Sequence, residues 1–267
     1  MNTFGFIGAG NMGSALARAI GRSNPSALYV SDATADKAEA LARELGGGAT
    51  DNETLSRNAY YIFLGVKPQV MPRVLASLAP SLRAREDRFV LVSMAAGLSC
   101  KSLEAMVGFS CPIVRLMPNT PAAIGKGMIL VCDNGKVSED ERREVRYALS
   151  FAGQVDPIDE SLIDAASALS GCGPAFVYLF IEAMADGAVS CGLPRDKALT
   201  YAAQTLIGAA EMVKQTGQHP GALKDAVCSP AGSTIEGVRA LEEGAFRSDV
   251  IKSIAAAYRK TRELAGQ

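Results

Sequence analysis

Phe4-Gly5-Phe6-Ile7-Gly8-Ala9-Gly10-Asn11-Met12-Gly13 is the stretch that decides the fold. A short apolar run leads into three glycines at G-x-G-x-x-G spacing, and Ala15, Leu16, Ala17, Ala19 and Ile20 then recur at helical intervals. Strand, glycine turn and helix in that order form the context in which this motif binds a dinucleotide. Gly8 permits the tight turn, Gly10 lets the backbone approach a pyrophosphate, and Gly13 lets helix and strand pack closely. The pyrophosphate would rest on the helix N-terminus, where backbone N–H groups lack intrahelical partners. Ile7, Gly8, Ala9, Gly10, Asn11 and Met12 are the cofactor-binding residues expected from this turn.

Outward from it, β-type runs alternate with helical patterns: Leu28-Tyr29-Val30, Tyr60 to Leu64, Phe89 to Val92, Pro112 to Leu116 and Met128 to Val131. Such alternation predicts a parallel sheet, and runs apolar throughout predict strands covered on both faces. Past residue 160 the pattern turns helical, over 161–170, 174–191, 194–216, 222–227, 234–243 and 249–264. The expected fold is therefore α/β, a doubly wound parallel sheet of Rossmann type over 1–160 followed by an all-helical domain over 161–267.

Composition narrows the class. The chain has 267 residues, 27 Lys+Arg against 28 Asp+Glu and a net charge of −1, so no basic stripe points to nucleic acid. Its six cysteines form no C-x-x-C pair, which argues against zinc and against a disulfide framework; no metal is expected. No basic leader precedes a long apolar segment, and Glu182 and Asp186 interrupt the most apolar helix. Neither export nor membrane spanning is expected, and cytoplasm follows.

Residues just after each strand are the next candidates, because ligands of such sheets lie at the strand ends. Asp32 lies 19 residues past Gly13, near where an acidic side chain holds the ribose of NAD and repels the extra phosphate of NADP. That favours NADH, while Ser31, Thr34 and Lys37 around it could accept that phosphate, and Asp32 also suits a helix cap. In the second half, Cys228-Ser229-Pro230-Ala231-Gly232-Ser233-Thr234-Ile235-Glu236-Gly237 leads small and hydroxyl residues into a helix start, a place that can hold a carboxylate. Ser233 and Glu236 also have the spacing of a capping box, which serves stability alone.

Taken together, the glycine turn, Val66-Lys67-Pro68, Met117-Pro118-Asn119-Thr120-Pro121, Ser170-Gly171-Cys172-Gly173-Pro174 and the 228–237 segment resemble the pyrroline-5-carboxylate reductase family over nearly the whole chain. The resemblance implies reduction of 1-pyrroline-5-carboxylate to L-proline with NADPH or NADH, the last step of proline biosynthesis. It adds Ser31, Asp32, Asn52, Val66, Lys67, Pro68, Ala95, Ala96, Pro118 and Asn119 to the cofactor-binding residues. Substrate binding falls to Ser229, Gly232, Ser233 and Thr234, with Ser229 and the backbone N–H groups of 232–234 holding the carboxylate and Thr234 catalytic at the ring nitrogen. It also implies a homodimer or higher homo-oligomer in which helices of one chain complete the other's site. Ala175 to Ile181, apolar around the whole helix, suits an interface or a buried core equally.

Related β-hydroxyacid dehydrogenases use a lysine on the helix after the comparable glycine motif, whereas this chain has none between Lys136 and Lys197. Its single histidine, His219, sits in a Gln-His-Pro-Gly turn. Alcohol oxidation is therefore disfavoured relative to imine reduction. A regulatory protein that binds the dinucleotide without turning it over would have little reason to carry the 229–234 loop. One departure from the family pattern is Ala231, where a second glycine is usual; a positive φ there disfavours alanine.

Overall fold

The computed structural model describes residues 2–22 and 28–264. Its sheet has eight strands in the order β3-β2-β1-β4-β5-β6-β7-β8. These are β1 (Phe4–Ile7), β2 (Leu28–Ser31), β3 (Gly48–Ala49), β4 (Tyr61–Leu64), β5 (Val90–Ser93), β6 (Ile113–Met117), β7 (Gly127–Asp133) and β8 (Gly153–Pro157). Six helices intervene: α1 (Asn11–Gly21), α2 (Ala35–Leu45), α3 (Asn52–Asn58), α4 (Met71–Arg83), α5 (Cys100–Val107) and α6 (Glu139–Leu149). Alternate residues of the strands feed two cores, as strands buried on both faces must. Phe4, Phe6, Phe63 and Val92 pack under α1, α2 and α6, while Ile7, Ile62, Leu64 and Leu91 pack under α3, α4 and α5.

The sheet is parallel except where β7 pairs antiparallel with β6. A right-handed parallel crossover needs a dozen or more residues. The link from β6 to β7 is shorter, and a 3-10 turn at Thr120–Ile124 sends the chain straight back. β8, absent from the strands expected, pairs parallel with β7 at the sheet edge, where only Val155 is β-branched.

Six further helices follow: α7 (Ile163–Ser170), α8 (Gly173–Ser190), α9 (Arg195–Thr216), α10 (Pro220–Val227), α11 (Ser233–Glu243) and α12 (Phe246–Leu264). By packing, the chain divides into two compact units. The first runs to Cys172 and regains the segment from Ala257; the second is Gly173–Ala256. The change of sequence character at 160/161 comes earlier than this division, because Ile163 of α7 is buried in the core beneath the sheet and Ala166 packs against it.

Candidate active site

The glycine turn has the geometry its spacing demands. Gly8 has φ +107°, and a Cβ there would lie 2.7 Å from the Gly65 carbonyl oxygen. A Cβ on Gly13 would lie 2.1 Å from Gly8 O, so strand end and helix touch through glycine alone. At Gly10 the situation reverses: a Cβ would meet no protein atom within 4 Å. Gly10 is the N-cap of α1, and no side chain caps that helix. Its backbone donors therefore border open space, which fits a pyrophosphate.

That space is a cleft of about 970 Å³ along the C-terminal ends of β1, β2 and β4. Ile7, Gly8, Gly10, Ser31, Asp32, Asn52, Val66 and Lys67 line it, as expected, joined by Thr50, Arg73 and Ser77. The last three carried no sequence signal: Thr50 follows a two-residue strand, and Arg73 and Ser77 lie on one face of an ordinary amphipathic helix. Pro68 lies in the turn before α4, beside the cleft-lining Lys67. Ser31 Oγ donates to Asn52 Oδ1 at 2.7 Å, leaving the Asn52 amide nitrogen as the group able to donate elsewhere.

Three of the expected residues also make structural contacts. The Ala9 N–H donates to Asp32 Oδ2 at 2.7 Å, and the Thr34 N–H donates to Asp32 Oδ1 at 2.8 Å. Asp32 therefore braces the glycine turn from below, and the Ala9 amide is spent on it. Asn119 donates from Nδ2 to Ser170 O at 2.9 Å and accepts the Met128 N–H at 2.9 Å, so its amide ties β6, β7 and α7 together. Pro118 and Ala95 are buried, whereas Ala96 is exposed.

In the second unit, Gly232 and not Ser233 is the N-cap of α11, with extended φ, ψ of −80° and 166°. Ser233 is the first helical residue, and no side chain caps the helix. Glu236 pairs with Arg239 at 2.9 Å, so the capping box suggested by spacing does not form. The helix start is left with unclaimed N–H groups, the condition for holding an anion. The Gly232 N–H is an exception, since it donates to Ser229 O at 3.0 Å. Gly232 thus contributes space and not a donor: a Cβ on it would lie 2.3 Å from Ser229 Oγ. Ser229, Ser233 and Thr234 are exposed, their hydroxyls in none of the side-chain bonds among the described residues. Ala231 does adopt a positive φ, +56°.

The helices around this loop bury little. Only Ala185, Ala198 and Ala202 are buried hydrophobics in the second unit among the described residues, while Tyr178 and Leu179 of α8 are 60% and 67% exposed. The all-round apolar character of α8 is therefore not that of a core helix within the chain.

Comparison with known proteins agrees with both halves. A model described as NADP oxidoreductase, coenzyme F420-dependent, matches residues 3–97, and one for pyrroline-5-carboxylate reductase dimerisation matches 160–264. Pyrroline-5-carboxylate reductase of Escherichia coli is 41% identical over 264 residues, 97% of each chain. The structure of Plasmodium falciparum pyrroline carboxylate reductase with NADP bound superposes with a TM-score of 0.88 at 35% identity, covering 99% of this chain and 98% of the other. That of a Coxiella burnetii pyrroline-5-carboxylate reductase gives 0.90 at 31%, covering 98% of each. With an open glycine cradle at one end, an uncapped helix start at the other and full-length identity of this level, the chain belongs to the pyrroline-5-carboxylate reductase family.

Proposed function

We propose that this chain reduces 1-pyrroline-5-carboxylate to L-proline, the last step of proline biosynthesis. The observation that carries the reading is the uncapped N-terminus of α11, with Ser229 and Thr234 beside it, in a chain that also carries an open dinucleotide cleft. When bound, NADPH or NADH supplies the hydride that the imine carbon accepts. The residues around the cleft do the holding: the N–H groups at the start of α1 take the pyrophosphate, and Asn52 and Lys67 take the adenosine side and the phosphates. Asp32, fixed by two backbone amides, keeps a carboxylate at the ribose end and favours NADH over NADPH.

On the substrate side, the N–H groups of Ser233 and Thr234 and the Ser229 hydroxyl hold the carboxylate and so orient the ring. A cyclic imine nitrogen is basic enough to be protonated near neutral pH, so no strong acid is needed. Thr234 donates a hydrogen bond from Oγ1 to that nitrogen as the C=N bond becomes a C–N single bond. Thr234→Ala should lower kcat about 10²-fold, the low end for a positioned proton donor. Unchanged kcat would remove Thr234 from the mechanism. Loss of NADH and of NADPH absorbance with the imine, followed side by side, tests the reaction and the Asp32 assignment together; a strong NADPH preference overturns the latter alone.

The working form is a homo-oligomer, at least a dimer, whose interface is built by residues 161–267 on the apolar surface of α8 and its neighbours. That interface, together with the burial of α7 under the sheet, and not a bilayer, accounts for the apolar run Glu160–Ser190, which has the length and mean hydropathy, 1.4, of a membrane span. Glu182 and Asp186 on α8 oppose membrane insertion. Small-molecule chemistry in the cytoplasm, without nucleic acid, suits the balanced charge.

A further inference from the structure

Cys100 at the start of α5, Cys132 on β7 and Glu160 meet on one face of the sheet, where one ligand atom from each lies within 4.8 Å of the others. Both cysteines are buried, 3% and 8% exposed. Several contacts fix the cluster. Cys132 faces Arg115 across the β6–β7 ladder, and the buried Arg115 holds Glu160 at 3.2 Å and Asp164 at 3.0 Å. The Cys100 N–H donates to Glu160 Oε1 at 2.8 Å. A cavity of about 390 Å³ lies beside the cluster, lined by Cys132, Asp133, Asp159 and Glu160 but not by Cys100, and shares no lining residue with the dinucleotide cleft.

We propose that Cys100, Cys132 and Glu160 form a binding site for a thiophilic divalent cation of the Zn²⁺ class, with water as the fourth ligand. Two thiolates and a carboxylate are a borderline-soft donor set, which suits Zn²⁺ and not Mg²⁺ or Ca²⁺. Tetrahedral Zn²⁺ with bonds of about 2.0–2.3 Å sets its ligand atoms roughly 3.5–3.8 Å apart, so atoms within 4.8 Å of one another need to close by about 1 Å at most. Charge also balances. One Zn²⁺ enters as the two thiol protons leave, so the net charge of the buried cluster is unchanged, and Arg115 keeps Asp164 as a partner. The ion would tie together α5, β7 and the turn before α7, three segments far apart in sequence. The site stands independently of the imine-reductase reading.

Titration of chelator-treated full-length protein with Zn²⁺ against a chromophoric chelator should show one ion per chain, with a raised Tm. Co²⁺ in its place should give a near-ultraviolet thiolate-to-metal band of two-sulfur intensity. Cys100→Ser and Cys132→Ser should each weaken binding at least about 100-fold, beyond what loss of a ligand's hydrogen-bond partner costs. A triple variant, Cys172→Ser, Cys191→Ser and Cys228→Ser, should keep both ion and band. The wild-type spectrum and the triple variant leave the cluster intact, so they decide even if a cluster variant fails to fold. No two-sulfur band in the wild type, binding that survives Cys100→Ser and Cys132→Ser, or binding lost in the triple variant overturns the site.

Discussion

The two units of this chain solve the burial problem in opposite ways. The first buries Phe4, Phe6, Tyr61, Phe63 and their aliphatic neighbours within a single chain, and the aromatic rings stack, Phe6 on Phe63 at 4.6 Å. The second, almost wholly helical, leaves Val177, Tyr178, Leu179, Ile207, Leu241 and Ile251 exposed and buries three alanines among its described residues. At about 25 cal/mol per Å² of apolar surface removed from water, a unit that removes so little has almost no driving force of its own. A sheet sandwiched by helices is complete alone, whereas the helices of the second unit leave their apolar faces uncovered within the chain, which suits the proposed homo-oligomer.

The sharpest way to break this comparison is to charge the apolar helix face. Leu179→Glu should raise the dimer dissociation constant about 10³-fold, roughly 4 kcal/mol, the scale for an uncompensated charge at a buried contact. Sedimentation should show monomer and activity should fall with it, while the near-ultraviolet signal of the sheet's tyrosines persists. An active monomer would refute the dependence of the second unit on a partner.

Within the first unit, the glycine turn offers a paired test of structure against ligand contact. Gly13→Ala drives a methyl into Gly8 O and should cost about 1–3 kcal/mol by chemical denaturation. Gly10→Ala meets only open space, so its stability should change by no more than about 1 kcal/mol, while KM for the cofactor rises at least about tenfold. Equal loss of stability in the two variants would erase the distinction between a packing glycine and a contact glycine.

Charge burial in the first unit predicts a pH dependence. Burial alone would raise the Glu141 carboxyl, but the paired Arg88 guanidinium, the Ser138 amide and the Tyr60 hydroxyl outweigh it and hold the group at about 2. Because the folded value is below the unfolded one, this stabilisation is complete above about pH 4.5 and is lost as pH falls through about 2. Glu141→Gln should cost about 2 kcal/mol at neutral pH and flatten the acid limb of stability between those values. A variant with the wild-type acid limb would exclude Glu141 as its source.

The smallest expected effect lies in the substrate loop. Ala231 in the left-handed region carries strain that glycine relieves, so Ala231→Gly should stabilise the chain by about 1 kcal/mol or less, read as a small rise in Tm. A fall in Tm would mean that the alanine methyl makes contacts outweighing its backbone strain.

Much of this was legible before folding. β-type runs of three to five residues marked β1, β2 and β4 to β7, and glycine spacing marked the cleft, because both are properties of consecutive residues. β8 escaped because an edge strand reading Gly-Gln-Val-Asp-Pro is held by pairing with β7 and not by its own composition. The capping-box alternative at 233 and 236 fails for the complementary reason: a capping box depends on which residue is the cap, and the turn at 229–232 makes Gly232 the cap.

Periodicity and turn chemistry therefore determined most of the sheet, the helical second half and the glycine-turn half-site, since each depends on backbone preferences within a few residues, while the 229–234 half-site was legible only through the family resemblance. Only the tertiary structure decided that Asp32 clamps the glycine turn, that Asn119 joins β6 to α7, and that Cys100, Cys132 and Glu160 come within 4.8 Å of one another. Those facts depend on strand register and helix docking across tens of residues, where the free energy comes from burial shared by distant segments and no local pattern records the partner.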